Sequence, residues 1–301
     1  MAPEDRHVDV AGRQLHVRSA GLAGALPTIV LEAGGGGVQL PTWSGIEQAL
    51  ASHTRVLSYE RAGIGDSSGP VDSARPQAVA QRLEALLQAA GVSGPIILAG
   101  HSLGGLYARY YAATRSRQVV GLVLLDTTPV DLPFPRLLTL RAGALFWSLH
   151  VLARLGLLQR LARGSRGEAA SVSPSQLAAL GRSHHVKAVL AEIAALRQVQ
   201  ADVAALPAAA PLPTLAISAG LAPPGDDPQR LERFRRSHEQ LAAAGRAPHS
   251  RHLRLEGAGH MSMLTEPQHA QAIAAEILAF ARQLRVSPIT NDALKGESTL
   301  P

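Results

Sequence analysis

A serine flanked by glycines, where an apolar strand pattern gives way to a helical one, is the feature that most constrains the fold of this chain. The segment 100–104 reads Gly-His-Ser-Leu-Gly, follows the apolar run 95–99 and precedes a helical pattern over 106–113. A strand, a sharp turn and a helix in this order hold the central serine strained and exposed. Glycine is needed on both sides because the turn leaves no room for larger side chains. The pattern therefore predicts that Ser102 is a nucleophile.

Three further motifs occur before and after this turn in the sequence. A strand runs into the glycine-rich loop 29–37, an arginine-and-glycine turn spans 59–67, and the loop 256–260 ends in His260. Together the four motifs resemble the α/β-hydrolase family over roughly residues 7 to 285. The resemblance implies an α/β fold, a mostly parallel, doubly wound sheet with an inserted helical cap. It says much less about the substrate, because one fold hosts many chemistries.

The composition suits one α/β domain with an insertion. With 301 residues and 46% hydrophobic content, the chain can bury a full core. The absence of cysteine excludes disulfides, thiol catalysis and a cysteine zinc site. The polar N-terminus does not resemble a signal peptide, and no stretch reaches the roughly 18 unbroken apolar residues of a membrane span. We therefore expect a cytoplasmic protein.

The net charge of +6 raises the question of a nucleic-acid partner. The arginines are spread along the chain, and aromatic residues make up only 3% of it. Because stacking aromatics and a basic stripe are both missing, we expect no nucleic-acid partner. The oligomeric state is left open.

Strand and helix patterns alternate along the chain, as in a parallel sheet covered by helices. The predicted strands are a hairpin over 7–18 and the segments 28–32, 55–59, 95–99, 119–125, 213–218 and 252–255. The predicted helices are 43–52, 76–90, 106–113, 229–244 and 267–284.

The segment between the strands ending at Leu125 and starting at Pro213 is too long for a simple crossover. Its helical patterns cover 137–149, 151–163, 175–181 and 186–206, and the resemblance implies that it is a cap. The predicted organisation is a core of residues 1–128 and 211–285, a cap of residues 129–210, and a mobile tail of residues 286–301.

A serine nucleophile needs an imidazole base that a third group orients. The chain contains 12 histidines. The resemblance favours His260, since the loop after the last strand returns over the serine turn in this fold. We expect His101 to shape the turn, and we expect His184 and His185 in the cap to be solvated or satisfied.

The third group is ambiguous. In most family members it follows the strand after the cap, but here the first carboxylates after that strand, Asp226 and Asp227, come late, beyond two prolines. They would equally serve as an N-cap for a helix starting at Pro228. A second family placement is the end of the strand after the serine helix, where this chain has Asp126. Open α/β sheets place their sites at that edge, so we favour Asp126 and keep Asp226 or Asp227 as the alternative acid.

An oxyanion hole needs backbone N–H groups directed at the developing charge. The resemblance assigns one to Leu103, after the nucleophile, and another to the loop 34–37, with Gly35 the best match. A phosphate-binding role is not expected, because no Gly-Lys-Ser or Gly-Lys-Thr follows. For Trp43 the hydrophobic core is the favoured alternative to a place in the substrate pocket. Further candidates for the substrate pocket are Gly34, Gly36, Leu40 and Trp43.

These residues predict a serine hydrolase that cleaves a carboxylic ester through an acyl-enzyme on Ser102, with no cofactor and no metal. A serine nucleophile argues against dehalogenase and epoxide-hydrolase chemistry, for which the family uses aspartate. Thioesterase, amidase and carbon–carbon bond hydrolase stay open. The alternative from another class is a non-hydrolytic small-molecule receptor or signalling protein on the same fold, which would need neither Ser102 nor His260.

The cap segment 137–163 carries more leucine than one helix face needs, with arginines between. This favours an apolar acyl group on the substrate and weak contact with an anionic membrane surface. The alternative is that the same leucines pack the cap on itself and on the core.

Overall fold

In a computed structural model the chain is described over residues 3–36, 39–69, 73–115, 119–132, 136–157, 160, 178–206, 212–222, 228–244 and 248–284. The strands are β1 (Glu4–Val10), β2 (Arg13–Ala20), β3 (Thr28–Glu32), β4 (Val56–Tyr59), β5 (Ile96–His101), β6 (Val119–Leu125), β7 (Thr214–Ala219) and β8 (Arg251–Leu255). The helices are α1 (Gln39–Ala51), α2 (Pro76–Ala89), α3 (Leu103–Thr114), α4 (Arg136–Arg154), α5 (Ser183–Ala204), α6 (Pro228–Ala244), α7 (Ser262–Thr265) and α8 (Pro267–Gln283).

The strands form one sheet in the order β1-β2-β4-β3-β5-β6-β7-β8. Strand β2 pairs antiparallel with both β1 and β4, and every other neighbouring pair is parallel. The predicted mostly parallel, doubly wound α/β sheet is therefore confirmed. All carboxyl ends of the parallel strands meet at one edge, which is where such sheets carry their sites.

Helices cover both faces of the sheet. Successive side chains of a strand point to opposite faces, so Ile29 and Leu31 enter one apolar cluster and Val30 enters the other. The first cluster lies under α1 and α8, and the second lies under α2 and α3. Strands buried on both faces read as continuous apolar runs, and this is why β3 and β6 have the predicted bounds.

Helix α1 starts earlier than predicted, and helix α4 is one helix where two are predicted. Helix α1 begins at Gln39 instead of 43, because proline is tolerated in a first helical turn and Pro41 does not delay the start. Helix α4 runs unbroken to Arg154, where two helices over 137–149 and 151–163 are predicted. No helix breaker separates those patterns, and the intervening His150 is buried, with its Nδ1 2.8 Å from the carbonyl oxygen of Leu180.

The cap boundaries 129–210 stay a prediction, since much of 158–177 and all of 207–211 lie outside the described residues, as does the predicted tail. Helices α4 and α5 pack against each other, and α5 also packs on α3 of the core. In the described ranges, no helix has both the length and the apolar content needed to cross a membrane.

Candidate active site

Ser102 occupies the turn between β5 and α3. Its backbone has a positive φ of 52° with ψ −120°, a sparsely populated conformation that costs energy for a residue with a side chain. A Cβ on Gly100 would lie 2.6 Å from the carbonyl oxygen of Gly104, and one on Gly104 would overlap the carbonyl oxygen of Glu32. Both glycines are therefore required by close backbone approach, and they hold the serine at the carboxyl edge of the sheet.

Asp126 and His260 meet at the same edge. Asp126 follows β6, is buried, and places Oδ2 2.6 Å from Nδ1 of His260, while its Oδ1 accepts the N–H of Ala219 at 3.1 Å. The backbone joins this pair to the serine turn. Ser102 donates its N–H to the carbonyl of Leu125, the last residue of β6, and Thr128 donates its N–H to the carbonyl of Ser102.

The electrostatics keep Asp126 ionised. Burial would raise the pKa of Asp126, but the hydrogen bond to His260 and the nearby imidazoles of His260 and His238 outweigh it and lower the pKa to about 2. A carboxylate on Nδ1 fixes the proton there and leaves Nε2 as the acceptor. Among the described residues, the His260 ring is hydrogen-bonded to Asp126 and not to the Ser102 hydroxyl; such bonds often tighten only when a substrate binds.

His101 holds the histidine loop. Its Nε2 lies 2.9 Å from the carbonyl oxygen of His260, and the two ring centroids are 4.5 Å apart. Burial, together with the adjacent His260, lowers the pKa of His101 to about 3. At neutral pH His101 is therefore uncharged and donates Nε2–H to that carbonyl. The sequence predicts a role in the turn and gives no sign of this second contact.

A chain of buried polar groups supports Asp126 from helix α6. His238 Nε2 lies 2.7 Å from the carbonyl oxygen of Thr127, and its Nδ1 lies 2.7 Å from Ser218 Oγ, which in turn lies 2.7 Å from His252 Nε2. Arg235 on the same helix donates to the carbonyl of Gly220. Sequence reasoning misses these residues, because nothing local distinguishes His238 from a solvated helix histidine.

The glycine loop lies against the serine turn. A Cβ on Gly34 would lie 3.3 Å from Cβ of Ser102, and one on Gly35 would lie 3.0 Å from Cδ2 of Leu103. Gly35 and Leu103, the two predicted oxyanion donors, are thus neighbours. The N–H of Gly36 is engaged elsewhere, since it donates to Oε2 of Glu192 at 3.3 Å. Gly37 lies outside the described residues.

A buried arginine fixes that loop. Arg61 donates from Nη1 to the carbonyl of Ala33 at 2.6 Å and from Nη2 to the carbonyl of Gly34 at 2.8 Å. Its guanidinium also donates hydrogen bonds from Nη1 to Glu32 Oε1 at 2.6 Å and from Nε to Glu192 Oε1 at 2.7 Å. Burial would lower the pKa of Arg61, but the two carboxylates outweigh it and raise the pKa well above its usual value. Arg61 is therefore a permanent cation beneath the loop.

The remaining candidates lie as follows. Trp43 is fully buried in the cluster under α1, which favours the core interpretation, and Leu40 is also buried. On helix α5, His185 Nδ1 accepts the N–H of Gly65, and His184 Nε2 lies 3.2 Å from the carbonyl oxygen of Gly65, so both histidines are satisfied. The alternative acids Asp226 and Asp227 lie outside the described residues.

One group within the described residues has the composition of a metal site: His16, Glu60 and Asp66. Glu60 Oε2 already accepts the N–H of Asp66 at 2.7 Å and lies 3.1 Å from His16 Nδ1. Asp66 also pairs with Arg182. The hydrogen bond to Glu60, the largest influence, raises the pKa of His16. Hydrogen bonds within the group and the ion pair with Arg182 thus give each of the three side chains a protein partner.

Comparison with known proteins gives consistent results. The sequence profile described as "Alpha/beta hydrolase family" matches residues 29–276. A segment of 115 residues is 36% identical to the "Probable transporter efuK" of Hormonema carpetanum, covering 37% of this chain but only 16% of that protein.

Two solved structures share the fold over almost the whole chain. Cfl2 from Burkholderia cenocepacia superposes with a TM-score of 0.67 at 25% identity, covering 93% of this chain and 100% of that one. A thermophilic esterase from Thermogutta terrifontis superposes with a TM-score of 0.64 at 20% identity, covering 95% of this chain and 100% of that one.

Proposed function

The chain belongs to the α/β-hydrolase family, and we propose that it is a serine hydrolase that cleaves a carboxylic ester through an acyl-enzyme on Ser102. The observation that carries this proposal is the hydrogen bond of 2.6 Å between His260 Nδ1 and Asp126 Oδ2. It lies at the edge of the sheet where the strained turn presents Ser102. Nucleophile, base and orienting carboxylate are the three groups that such chemistry needs.

The reaction follows from these positions. Ser102 Oγ attacks the ester carbonyl while His260 Nε2 accepts its proton, and the same imidazole returns the proton to the leaving alcohol. His260 then takes a proton from the water that attacks the acyl-enzyme and gives it to Ser102 Oγ as the acid leaves, which restores free Ser102. Asp126, ionised by virtue of its low pKa, stabilises the imidazolium in both steps.

The negative oxygen of each tetrahedral intermediate would be held by the N–H groups of Gly35 and Leu103. Leu103 is the first residue of α3, so its N–H has no partner within the helix and lies at the positive end of the helix dipole. Gly36 is a weaker candidate because its N–H is bound by Glu192. No cofactor is required by this mechanism.

The cap supports an apolar acyl group. A Cβ on Gly36 would lie 3.2 Å from the ring of Phe146 on α4 and 3.8 Å from a methyl group of Val189 on α5. Apolar side chains of the cap thus reach the loop beside Ser102. We expect kcat/KM to be at least about tenfold higher for p-nitrophenyl octanoate than for the acetate, since each buried methylene adds roughly 0.8 kcal/mol. Equal or better use of the acetate would contradict an apolar acyl pocket.

The outer face of α4 supports contact with an anionic membrane surface. A stripe of exposed apolar residues repeats at helical spacing, and the helix contains no acidic residue. The stripe consists of Leu137, Leu140, Trp147 and Val151, and exposed Leu155 follows directly after the helix. Arg136, Arg141 and Arg154 accompany it on the same helix. Co-sedimentation with phosphatidylserine vesicles at low salt should be lost in L140Q/W147Q and kept in L22Q, which alters an exposed leucine outside the cap.

A fluorophosphonate probe tests the central proposal. Labelling of the wild-type chain and none of Ser102→Ala is the expected result, because only an activated serine reacts. Failure of the wild type to label would favour a non-hydrolytic binder of small molecules. A parallel screen of oxygen esters, thioesters, amides and carbon–carbon substrates then identifies the bond cleaved.

A further inference from the structure

Glu192 of the cap helix α5 reaches the glycine loop of the core. Its carboxylate is buried, and each of its oxygens accepts a bond from the core: Oε2 from the N–H of Gly36 at 3.3 Å, and Oε1 from Nε of Arg61 at 2.7 Å. Gly36 and Glu192 are 156 positions apart. A charged group of the cap is thus built into the loop that is the candidate oxyanion hole.

Arg61 fixes the direction of the Gly35 N–H. In a trans peptide the carbonyl of one residue and the N–H of the next point in opposite directions. Because Nη2 of Arg61 holds the Gly34 carbonyl at 2.8 Å, the Gly35 N–H must point away from the guanidinium. Glu192 fixes the next peptide plane in the same manner, since it holds the Gly36 N–H. Both planes that flank Gly35 are therefore clamped.

Glu192 also helps to hold Arg61 itself. The guanidinium lies between Glu32 and Glu192, with its carbon 5.3 Å from the ring centroid of Tyr107. Glu32 is held from its other side by the Tyr59 hydroxyl. Without Glu192, Nε of Arg61 would lose its 2.7 Å acceptor in a buried setting, where an unmet charged donor is costly. We expect the arginine and the Gly34 carbonyl to shift together in response.

We propose that Glu192 is a positioning residue for the oxyanion hole, through which the seating of the cap sets the direction of the Gly35 N–H. The inference rests on the proposed hydrolase function and extends it. Its consequence is that the cap contributes to stabilising the transition state as well as to covering the substrate. An interaction made only in the transition state affects kcat rather than KM.

The test compares kcat and KM for an ester in three variants of α5. Loss of one oxyanion donor costs roughly 10²- to 10³-fold in kcat, so disorienting one should cost about 10- to 100-fold in Glu192→Ala with KM within about threefold. Glu192→Gln keeps one oxygen that can accept the Gly36 N–H but sets an amide donor against Nε of Arg61, so it should recover only part of that loss. Asp202→Ala is the matched control, because Asp202 also ties α5 to the core, through Arg75. It should leave kcat within about twofold of the wild type.

A second measurement reads the loop without catalysis. In the chain with ¹⁵N-labelled glycine, the amide signals of Gly35 and Gly36 should shift and exchange faster in Glu192→Ala and stay near wild type in Asp202→Ala. If the wild type hydrolyses no ester, the proposed function fails, and the amide signals still decide whether Glu192 holds the loop. Unchanged amide signals, a Glu192→Ala effect confined to KM, or an equal loss in Asp202→Ala would each overturn the positioning role.

Discussion

Asp126 and His260 are held by the sheet and its loops, whereas the Gly34–Gly36 loop beside Ser102 is held partly by helix α5 of the predicted cap. We call the first pair and its supports the acid–base side. The oxyanion side is the loop, Leu103 and the side chains that hold the loop, which are Arg61, Glu32 and Glu192. On the acid–base side the contacts come from strand ends and from helix α6. On the oxyanion side the carboxylate of Glu192 on α5 completes the arrangement. Proton transfer is thus expected to be insensitive to the cap, while oxyanion binding responds to it.

The largest expected effect comes from removing the nucleophile Ser102 or its base, His260, of the acid–base side. Ser102→Ala and His260→Ala should each lower kcat by roughly 10⁶-fold, because nucleophile and base act as one unit. For the same reason the double variant should be little worse than either single one. Steady-state kinetics on an activated ester measures all three.

Near-additive losses in the double variant would show that the two residues do not form a pair. Circular dichroism of each variant should match the wild type, since neither substitution removes a core side chain. Both single variants should retain the wild-type amide signals of Gly35 and Gly36, because the oxyanion side has its own supports.

The next effect separates the candidate acids. Asp126→Asn should lower kcat by about 10⁴-fold, because an amide in place of the carboxylate leaves His260 in the wrong tautomer. Asp226→Asn and Asp227→Asn should each change kcat by less than about threefold if these residues serve as a helix N-cap. The reverse ordering of the three variants would move the acid to the loop after β7.

How far the site can be predicted from the sequence differs between the two sides. Ser102 and Asp126 each follow an apolar strand directly, and His260 comes shortly after the last one, so the rule that parallel strands share a carboxyl edge places them near one another. The fold follows from the same alternation of strand and helix. Bounds fail mainly where local signals are weak, as in α4, which continues through His150.

Glu192 and His238 escape sequence reasoning for a common reason. Each makes its decisive contact with a backbone group far away in the chain, 156 positions for Glu192 and 111 for His238. A carboxylate or an imidazole within a helix pattern is usually solvated, so its residue type gives no warning. Only the packing of α5 and α6 against the core reveals these roles.

The smallest effect concerns acid stability, and it should have opposite signs on the two sides. The pKa of Asp126 in the folded state is lowered to about 2 from 3.8. A group with a lowered pKa stabilises the fold above its unfolded pKa and loses that contribution as the pH falls through the folded pKa. The wild type should therefore exceed Asp126→Asn in unfolding free energy at pH 6 by on the order of 2 kcal/mol, a gap that closes between about pH 4 and pH 2.

On the oxyanion side, Glu32 provides the opposite case. Burial, the largest influence, raises the pKa of Glu32 despite the bonds from Arg61 and Tyr59. Its folded state therefore binds a proton more readily than its unfolded state, so its contribution to stability is present at low pH and is lost as the pH rises through the raised pKa. Relative to Glu32→Gln, the wild type should gain stability on acidification, whereas relative to Asp126→Asn it should lose stability. Urea unfolding at pH 6, 4 and 3 measures both trends, and parallel trends for the two variants would contradict the electrostatic contrast between the sides.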